Sequence, residues 1–350
     1  MFLTVYVDDI IIAGIPNDIE EVILQLADWF KLKDLGRVRH LLGMEVNYMP
    51  GRMVCLSQTA YIERLADKFG LQSARSVRSP QFHHEKPTKI ETELTKINDP
   101  ALPYKEIVGS LQYLVACTRP DLAHVVRNLG RYMSAYSIEN YRAAQRVVRY
   151  ALATKNMGLV YRVNSESVVM DAFCDADHQS CPETSRSVTG YLLRLHGNTW
   201  MWKSHGQRRV TEDTCSSELV ACCECTKMVV WARELVLELG FSGQELQVPI
   251  HCDNQSAIAV VACNGNTSRV RHMAKHARFI NEYIQAKELD LVYVQSAENL
   301  ADIFTKALGP AEFERQRSRL NVEDVPSTWA KVAASAREHA VVKDVEMEEA

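Results

Sequence analysis

The chain has 350 residues, 47% apolar and 24% charged, with a formal net charge of −4 and ten cysteines. That length accommodates two or three domains, and the composition is that of globular protein able to bury real cores, which excludes a fibrous or wholly disordered chain. Irregularly spaced cysteines, and an N-terminus lacking a basic, apolar and small-residue succession, exclude a disulfide-stapled secreted domain and predict a reduced intracellular compartment, cytoplasmic or nuclear. No apolar run approaches the roughly 20 residues that would span a membrane.

Charge is unevenly placed: residues 321–350 hold seven acids and three bases, which accounts for the whole −4. The balanced remainder can still bind phosphate through local basic patches. In chain order, Phe2 to Ala13 reads as a hairpin whose apolar arms flank Tyr6-Val7-Asp8-Asp9. Neighbouring strand residues point to opposite faces, so Asp8 and Asp9 can serve one metal site only at the turn; taken alone, such a pair is more often a solvated turn. Asn17 to Phe30 reads as a helix with an Asn17/Glu20 cap. Leu41 to Tyr48 and Arg52 to Ser57 form a second hairpin around Pro50-Gly51, and a helix from Ala60 to Phe69 stops at Gly70. Residues 73–99 are polar, with Pro80 and Pro87, and read as a linker. Two or three helices fill Tyr104 to Lys155, one of them starting at Arg119-Pro120-Asp121.

Near Glu166 the period changes. Val168 to Asp175, Ser187 to Leu195 and Thr199 to Lys203 read as consecutive strands, followed by a long helix, Ser216 to Leu239. Strand Val248 to Cys252, helices Ser256 to Cys263 and Ala274 to Lys287, strand Leu289 to Gln295 and a final helix from Leu300 follow. Three strands and then alternating helix and strand imply a mixed sheet with helices on its faces. Acids stand where such a sheet could gather them: Asp175, Glu218, Asp253 and Asp302. Four converging carboxylates need divalent cations to offset their repulsion, and oxygen-only ligands select Mg²⁺ or Mn²⁺. Asp177, two residues from Asp175, is the alternative ligand on that strand, whereas Asp171 and Asp213 read as solvated loop acids.

Two basic stretches are candidate phosphate contacts: Lys203, His205, Arg208 and Arg209 before the long helix, and Arg269, Arg271, His272, Lys275, His276 and Arg278 further on. Solvated basic faces are the plainer alternative. Cys222, Cys223 and Cys225 point in different directions on a helix and lack the usual paired spacing, so a zinc site completed by His251 or Cys252 is set aside in favour of small buried residues.

Several strings carry a family resemblance: MFLTVYVDDIIIAG, KLKDLGRVRHLLGMEV, LSQTAYIERLADKFGL, YKEIVGSLQYLVACTRPDLAHVV, AAQRVVRYALATKNMGLVY, and later CDAD, SSELVA, CDNQSA and ENLADIFTK. Occurring in this order from Met1 to about residue 320, they resemble the copia-type retrotransposon Pol polyprotein, its C-terminal reverse transcriptase fragment plus ribonuclease H domain. The resemblance implies an α/β chain, an α+β remnant followed by a ribonuclease H-like mixed five-stranded sheet with flanking helices. It implies a palm remnant over 1–72 beginning at the YVDD hairpin, a linker over 73–99, a helical thumb or connection region over 100–163, a ribonuclease H-like domain over 164–320 and a disordered acidic tail over 321–350.

The roles it carries over are metal ligation at Asp8 and Asp9 for the polymerase, and the catalytic two-metal set Asp175, Glu218, Asp253 and Asp302 for the nuclease. Asp175 would bridge both ions, Glu218 and Asp253 would serve the leaving-group side and Asp302 the water side, where a helix N-terminus would favour its charge. Glu218 takes the second of two positions usually occupied by glutamate in the family; the first is Ser216, and Glu224 is expected to face elsewhere. Lys203, Arg208, Arg209, Arg271, Lys275 and His276 would grip nucleic acid. The implied substrate is an RNA/DNA hybrid and the implied cofactor two Mg²⁺ ions, with Mn²⁺ the alternative. Two departures stand out: His178 replaces the usual aromatic residue after DAD, and Ala277 the usual acid after Lys275-His276.

The expected activity is therefore cleavage of the RNA strand of a hybrid, with polymerase activity not expected from this chain alone. Two other readings stay open at this point: a catalytically inactive or domesticated nucleic-acid-binding remnant, and a part of a full RNA-directed DNA polymerase completed by upstream Pol segments or a second Pol chain.

Overall fold

The computed structural model describes residues 1–81, 97–164, 169–242, 245–266 and 268–335. Most of the expected linker (82–96) and the end of the expected tail (336–350) lie outside the described residues.

At the N-terminus, β1 (Phe2–Tyr6) and β2 (Asp9–Ala13) pair antiparallel with Tyr6 opposite Asp9, so Val7 and Asp8 form the turn. Val7 sits at φ +56, a left-handed conformation that costs a β-branched residue about 1–3 kcal/mol. Helix α1 (Pro16–Ala27) starts at its proline, and no side chain caps it. The expected Asn17/Glu20 cap is thus replaced by Pro16 at the first helical position, where its ring pre-sets φ and its missing N–H costs nothing. No residue of α1 is buried.

A five-stranded antiparallel sheet follows, in the order β12-β6-β5-β4-β3. Its strands are β3 (His40–Leu41), β4 (Met44–Met49), β5 (Met53–Ser57), β6 (Met157–Arg162) and β12 (Val322–Asp324). The second hairpin expected from the sequence is therefore only its centre. Strand β6 ends a region read as helical, and β12 belongs to the expected tail. The reason lies at the hairpin edge: β5 alternates buried and half-buried residues and pairs with β6 along its second edge. Gly158 permits the approach, since a Cβ there would lie 2.2 Å from the Leu56 carbonyl oxygen.

The expected tail is corrected further downstream. Glu323 takes both Arg162 guanidinium nitrogens at 2.6 Å, Val325 is buried, and Trp329 and Val332 pack on Met53, Cys55 and Val160. Residues 325–335 are helical. Val325, Trp329 and Val332 cover one face of this sheet while Val322 joins the core on the bundle side, which outweighs the acidic composition of the segment.

Helices α2 (Thr59–Lys68), α3 (Tyr104–Cys117), α4 (Ala123–Gly130) and α5 (Ile138–Ala153) form a bundle beside this sheet. The start at Arg119-Pro120-Asp121 is a short 3-10 turn over Pro120–Leu122 leading into α4; the fully buried Arg119 pairs with Asp121 at 2.8 Å.

The second five-stranded sheet has the order β11-β10-β7-β8-β9. Strands β7 (Met170–Asp177), β8 (Val188–Leu195) and β9 (Asn198–Gly206) run antiparallel; β10 (Val248–Cys252) is parallel to β7, and β11 (Leu289–Tyr293) to β10. This is the mixed sheet that the element order implied. Helices α6 (Thr214–Glu238), α7 (Gln255–Ala262) and α8 (Ala274–Gln285) cover one face. The other face meets a 3-10 turn over Leu300–Phe304 and α4, and α9 (Pro310–Arg319) packs on that turn and on β12. Cover on both faces leaves β7 and β8 buried almost without a break, polar residues included.

One apolar core joins the bundle residues Leu111, Leu122 and Val148 to Phe173, Leu192 and Phe304 of the mixed-sheet region. The expected boundary at residue 164 therefore separates residues that share a core.

Candidate active site

Four elements deliver one acid each. Asp175 lies near the end of β7 and is 1% exposed. Asp213 caps α6 by accepting from the Ser216 N–H at 2.6 Å, which sets Glu218 in the second turn, buried. Asp213 is thus a cap rather than a free loop acid. Asp253 follows β10 directly, and the next residue, Asn254, caps α7 by accepting from the Ala257 N–H at 2.9 Å. Asp302 stands within the 3-10 turn; the next α-helix begins only at Pro310. Its expected support from a helix N-terminus is absent, and a lysine supplies the countercharge instead.

Carboxylate oxygens of Asp175, Asp253 and Asp302 lie within 4.8 Å of one another, and a Glu218 oxygen is equally close to Asp253 and Cys252. Lys306 Nζ donates to Asp302 Oδ1 at 2.8 Å and to Asp175 Oδ1 at 3.2 Å, while the Thr305 hydroxyl donates to Asp175 Oδ2. Burial pushes the Asp175 carboxyl up to about 7, with Lys306 pulling it down and Asp302 and Asp253 pushing it up. Glu218 is raised well above the carboxylate range by burial first and by Asp175 second. Burial also raises Asp302, against Lys306. For Lys306 burial acts against the charge, but Asp175 and Asp302 outweigh it and raise the ammonium. For Asp175, Glu218 and Asp302 burial thus favours the protonated carboxyl, a penalty that bound cations would offset.

Several positioning residues escaped the sequence reading. Gly190 is opposite Asp175, and a Cβ there would fall 2.7 Å from Phe304 Cβ and Thr305 Cγ2. Only glycine lets the turn press onto β8 and bring Thr305 and Lys306 to Asp175. Asn299, fully buried, ties that turn to β7 by donating to the Cys174 carbonyl at 3.0 Å. The signal was present in ENLADIFTK, where a lysine four residues after an acid pairs with it on a helical turn.

Other candidates fall outside this cluster. Asp177 is half-buried, on the side of Arg127. Asp171, expected as a loop acid, is a buried strand residue paired with Arg194. Glu224 pairs with Lys227 at 3.0 Å. Asp8 and Asp9 are exposed at their turn, and no further acid joins them in a cluster among the described residues.

Of the basic candidates, Lys203 and His205 lie on β9 rather than in the loop, because β9 extends to Gly206; Arg208 and Arg209 are exposed in that loop. Arg271 is exposed in the 3-10 segment before α8; in α8 itself Lys275 is exposed and His276 half-buried. Both stretches flank α6, since Glu224 feels Lys203 and His205 from one side and acts on His276 from the other. Lys227 of α6, missed in the sequence, joins them.

Comparison with known proteins adds the following. Residues 1–83 match the family described as reverse transcriptase (RNA-dependent DNA polymerase). The retrovirus-related Pol polyprotein from transposon TNT 1-94 of Nicotiana tabacum is 32% identical over 90% of this chain and 24% of its own length. That from transposon RE1 of Arabidopsis thaliana is 31% identical over 93% and 22%. The chain thus spans about a quarter of these relatives. An uncharacterized mitochondrial protein of Arabidopsis thaliana, AtMg00810, is 32% identical over 66% of this chain and 94% of its own. Among solved structures, RNase H1 of Halobacterium salinarum aligns over 39% of this chain and 93% of its own with 16% identity and a TM-score of 0.28.

Proposed function

The chain belongs to the copia-type transposon Pol family, and we propose that its mixed-sheet region, residues 169–320, is a ribonuclease H that cleaves the RNA strand of RNA/DNA hybrids. The observation that carries this reading is the convergence of Asp175, Glu218, Asp253 and Asp302 from four separate elements. The donor set fits hard divalent cations: it is all oxygen, and Glu218 Oε2 is buried with no hydrogen-bond partner among the described residues. Asp175 would ligate two Mg²⁺ ions, Glu218 and Asp253 one of them and Asp302 the other; Mn²⁺ is the alternative. Bound there, such ions would supply charge neutralisation and a water of lowered pKa.

The chain's own groups do the rest. Lys306 holds Asp175 and Asp302 together against their repulsion. Gly190 and Asn299 fix the turn that presents them. The exposed Lys203, Arg208, Arg209, Arg271 and Lys275, with His276, grip phosphates, giving sequence-independent and salt-dependent binding, and a hybrid is selected by groove shape and 2′-hydroxyls. The test is hydrolysis by the full chain with Mg²⁺ or Mn²⁺: the RNA strand of a hybrid is cut, whereas single-stranded RNA and duplex DNA stay largely intact. A folded chain that binds hybrid without cutting it would replace this reading with that of a binding remnant.

A second reading is favoured by the exposure of Leu24 (70%), Trp29 (85%) and Phe30 (62%). Such a patch is a contact surface, and we propose that upstream Pol segments or a second Pol chain cover it and complete the Asp8–Asp9 site for DNA synthesis. Primer extension that appears only on mixing with an upstream Pol segment, and is lost in Asp8→Asn, would support it.

A further inference from the structure

We propose that Cys174, Cys222 and Cys252 form a second cation site, one for a thiophilic ion of the zinc class, directly behind the acidic cluster. Their sulfurs lie within 4.8 Å of one another, Cys174 and Cys222 at 3.4 Å, and all three residues are 0% exposed. A Zn–S bond of about 2.3 Å puts tetrahedral sulfurs about 3.8 Å apart, so ligation needs only small side-chain shifts. Cys225, also buried and one helical turn beyond Cys222, lies on the same side as Cys174 and is the candidate for a fourth sulfur. The pair Cys222 and Cys225 has the two-residue gap of thiolate metal sites, and one helix turn presents both toward β7. The spacing dismissed in the sequence is therefore there once Cys223 is left out.

Packing alone does not require this arrangement. Valine or alanine would fill the same core, yet three of the ten cysteines bring their sulfurs within 4.8 Å of one another. Each of the three sulfurs is also tied to an acid: Cys174 precedes Asp175, Cys252 precedes Asp253, and Cys222 is one turn beyond Glu218. Cys252 is itself within 4.8 Å of Glu218 and Asp253. Hard and soft donors thus share a border, and the half-buried Asp253 opens the way in. Filling the sulfur site releases the thiol protons and pulls β7, β10 and α6 together behind the carboxylates, which inhibits the nuclease; this consequence, unlike the site itself, rests on the proposed function.

The test is titration of the reduced full chain with Cd²⁺. The expected result is a thiolate-to-cadmium charge-transfer band saturating at one ion per chain. Cys222→Ala and Cys174→Ala, each checked by a thermal melt, should weaken binding by at least about tenfold, while Cys263→Ala, at an exposed position, leaves it unchanged. Cys252→Ala serves if either of the first two fails to fold. No band, or a band equally strong in these variants, overturns the proposal. In a separate arm Zn²⁺ inhibits hybrid cleavage by the parent chain and not by Cys222→Ala. A chain that shows the band but never cuts hybrid refutes the nuclease reading and leaves the sulfur site standing.

Discussion

Residues 1–39 and the mixed-sheet region both present aspartates at the ends of strands, yet they treat them differently. Asp8 and Asp9 sit on a two-stranded hairpin with every strand residue exposed or half-buried, beside a helix that buries nothing. Asp175 sits in a strand sandwiched by α6 and the 3-10 turn, with three other acids and a lysine at hand. A carboxylate becomes a cation-binding group through the elements that surround it, because burial raises its charge penalty and neighbours determine how the penalty is offset.

The sharpest way to break this comparison is amide replacement. Asp175→Asn, Glu218→Gln, Asp253→Asn and Asp302→Asn should each lower hybrid cleavage about 100- to 1,000-fold, the scale of losing one preorganised electrostatic contributor, and Asp8→Asn should leave it unchanged. Retained activity in Asp175→Asn with loss in Asp177→Asn would move the site by two residues.

Next in size is the C-terminal segment. Truncation after Leu320 removes Val322, Val325, Trp329 and the Arg162–Glu323 pair; at about 1.5–3 kcal/mol per buried side chain the cost is about 4 kcal/mol or more, or about 10 °C in melting temperature. Truncation after Ser335 removes only residues rich in acids and should leave the melt unchanged while modestly tightening hybrid binding at low salt. Equal melts for the two truncations would refute the role given to β12.

Gly190→Ala tests the cradle. Its methyl must displace Phe304 and Thr305, costing about 1–3 kcal/mol, and it should weaken Mn²⁺ binding, read by calorimetry; unchanged affinity would show that the turn can give way harmlessly. Smaller again is a pH effect in metal-free protein. With Asp175 raised to about 7 in the folded state and near 4 when unfolded, the native state binds the extra proton between these values, so stability falls as pH rises through that window. Glu218 and Asp302, also raised, add in the same direction. Urea midpoints in EDTA should drop from about pH 5 to about pH 8, and less steeply in Asp175→Asn. The smallest change belongs to the N-terminal region: Trp29→Ser, at an 85% exposed position, should shift stability by less than about 0.5 kcal/mol.

The sequence by itself determined the order of elements from Met170 to Tyr293 and singled out four acids that lie together in the structure, because long strands and helices with strong periodicity carry their pattern locally and each acid sits in a recognisable string. Tertiary structure alone decided the remainder. Strand β12 is three residues long and β6 begins with Met157-Gly158, too little pattern to announce a strand; β6 covers the open edge of β5, and β12 that of β6. Asp302 lies in a 3-10 turn rather than at a helix start because Gly190 lets that turn lie flat on β8. Thr305, Lys306 and Asn299 reach Asp175 and Cys174 across more than a hundred residues of chain, and Cys174, Cys222 and Cys252 meet only where β7, β10 and α6 cross. Local pattern records which face a residue prefers; convergence depends on long-range pairing, which no window of sequence contains.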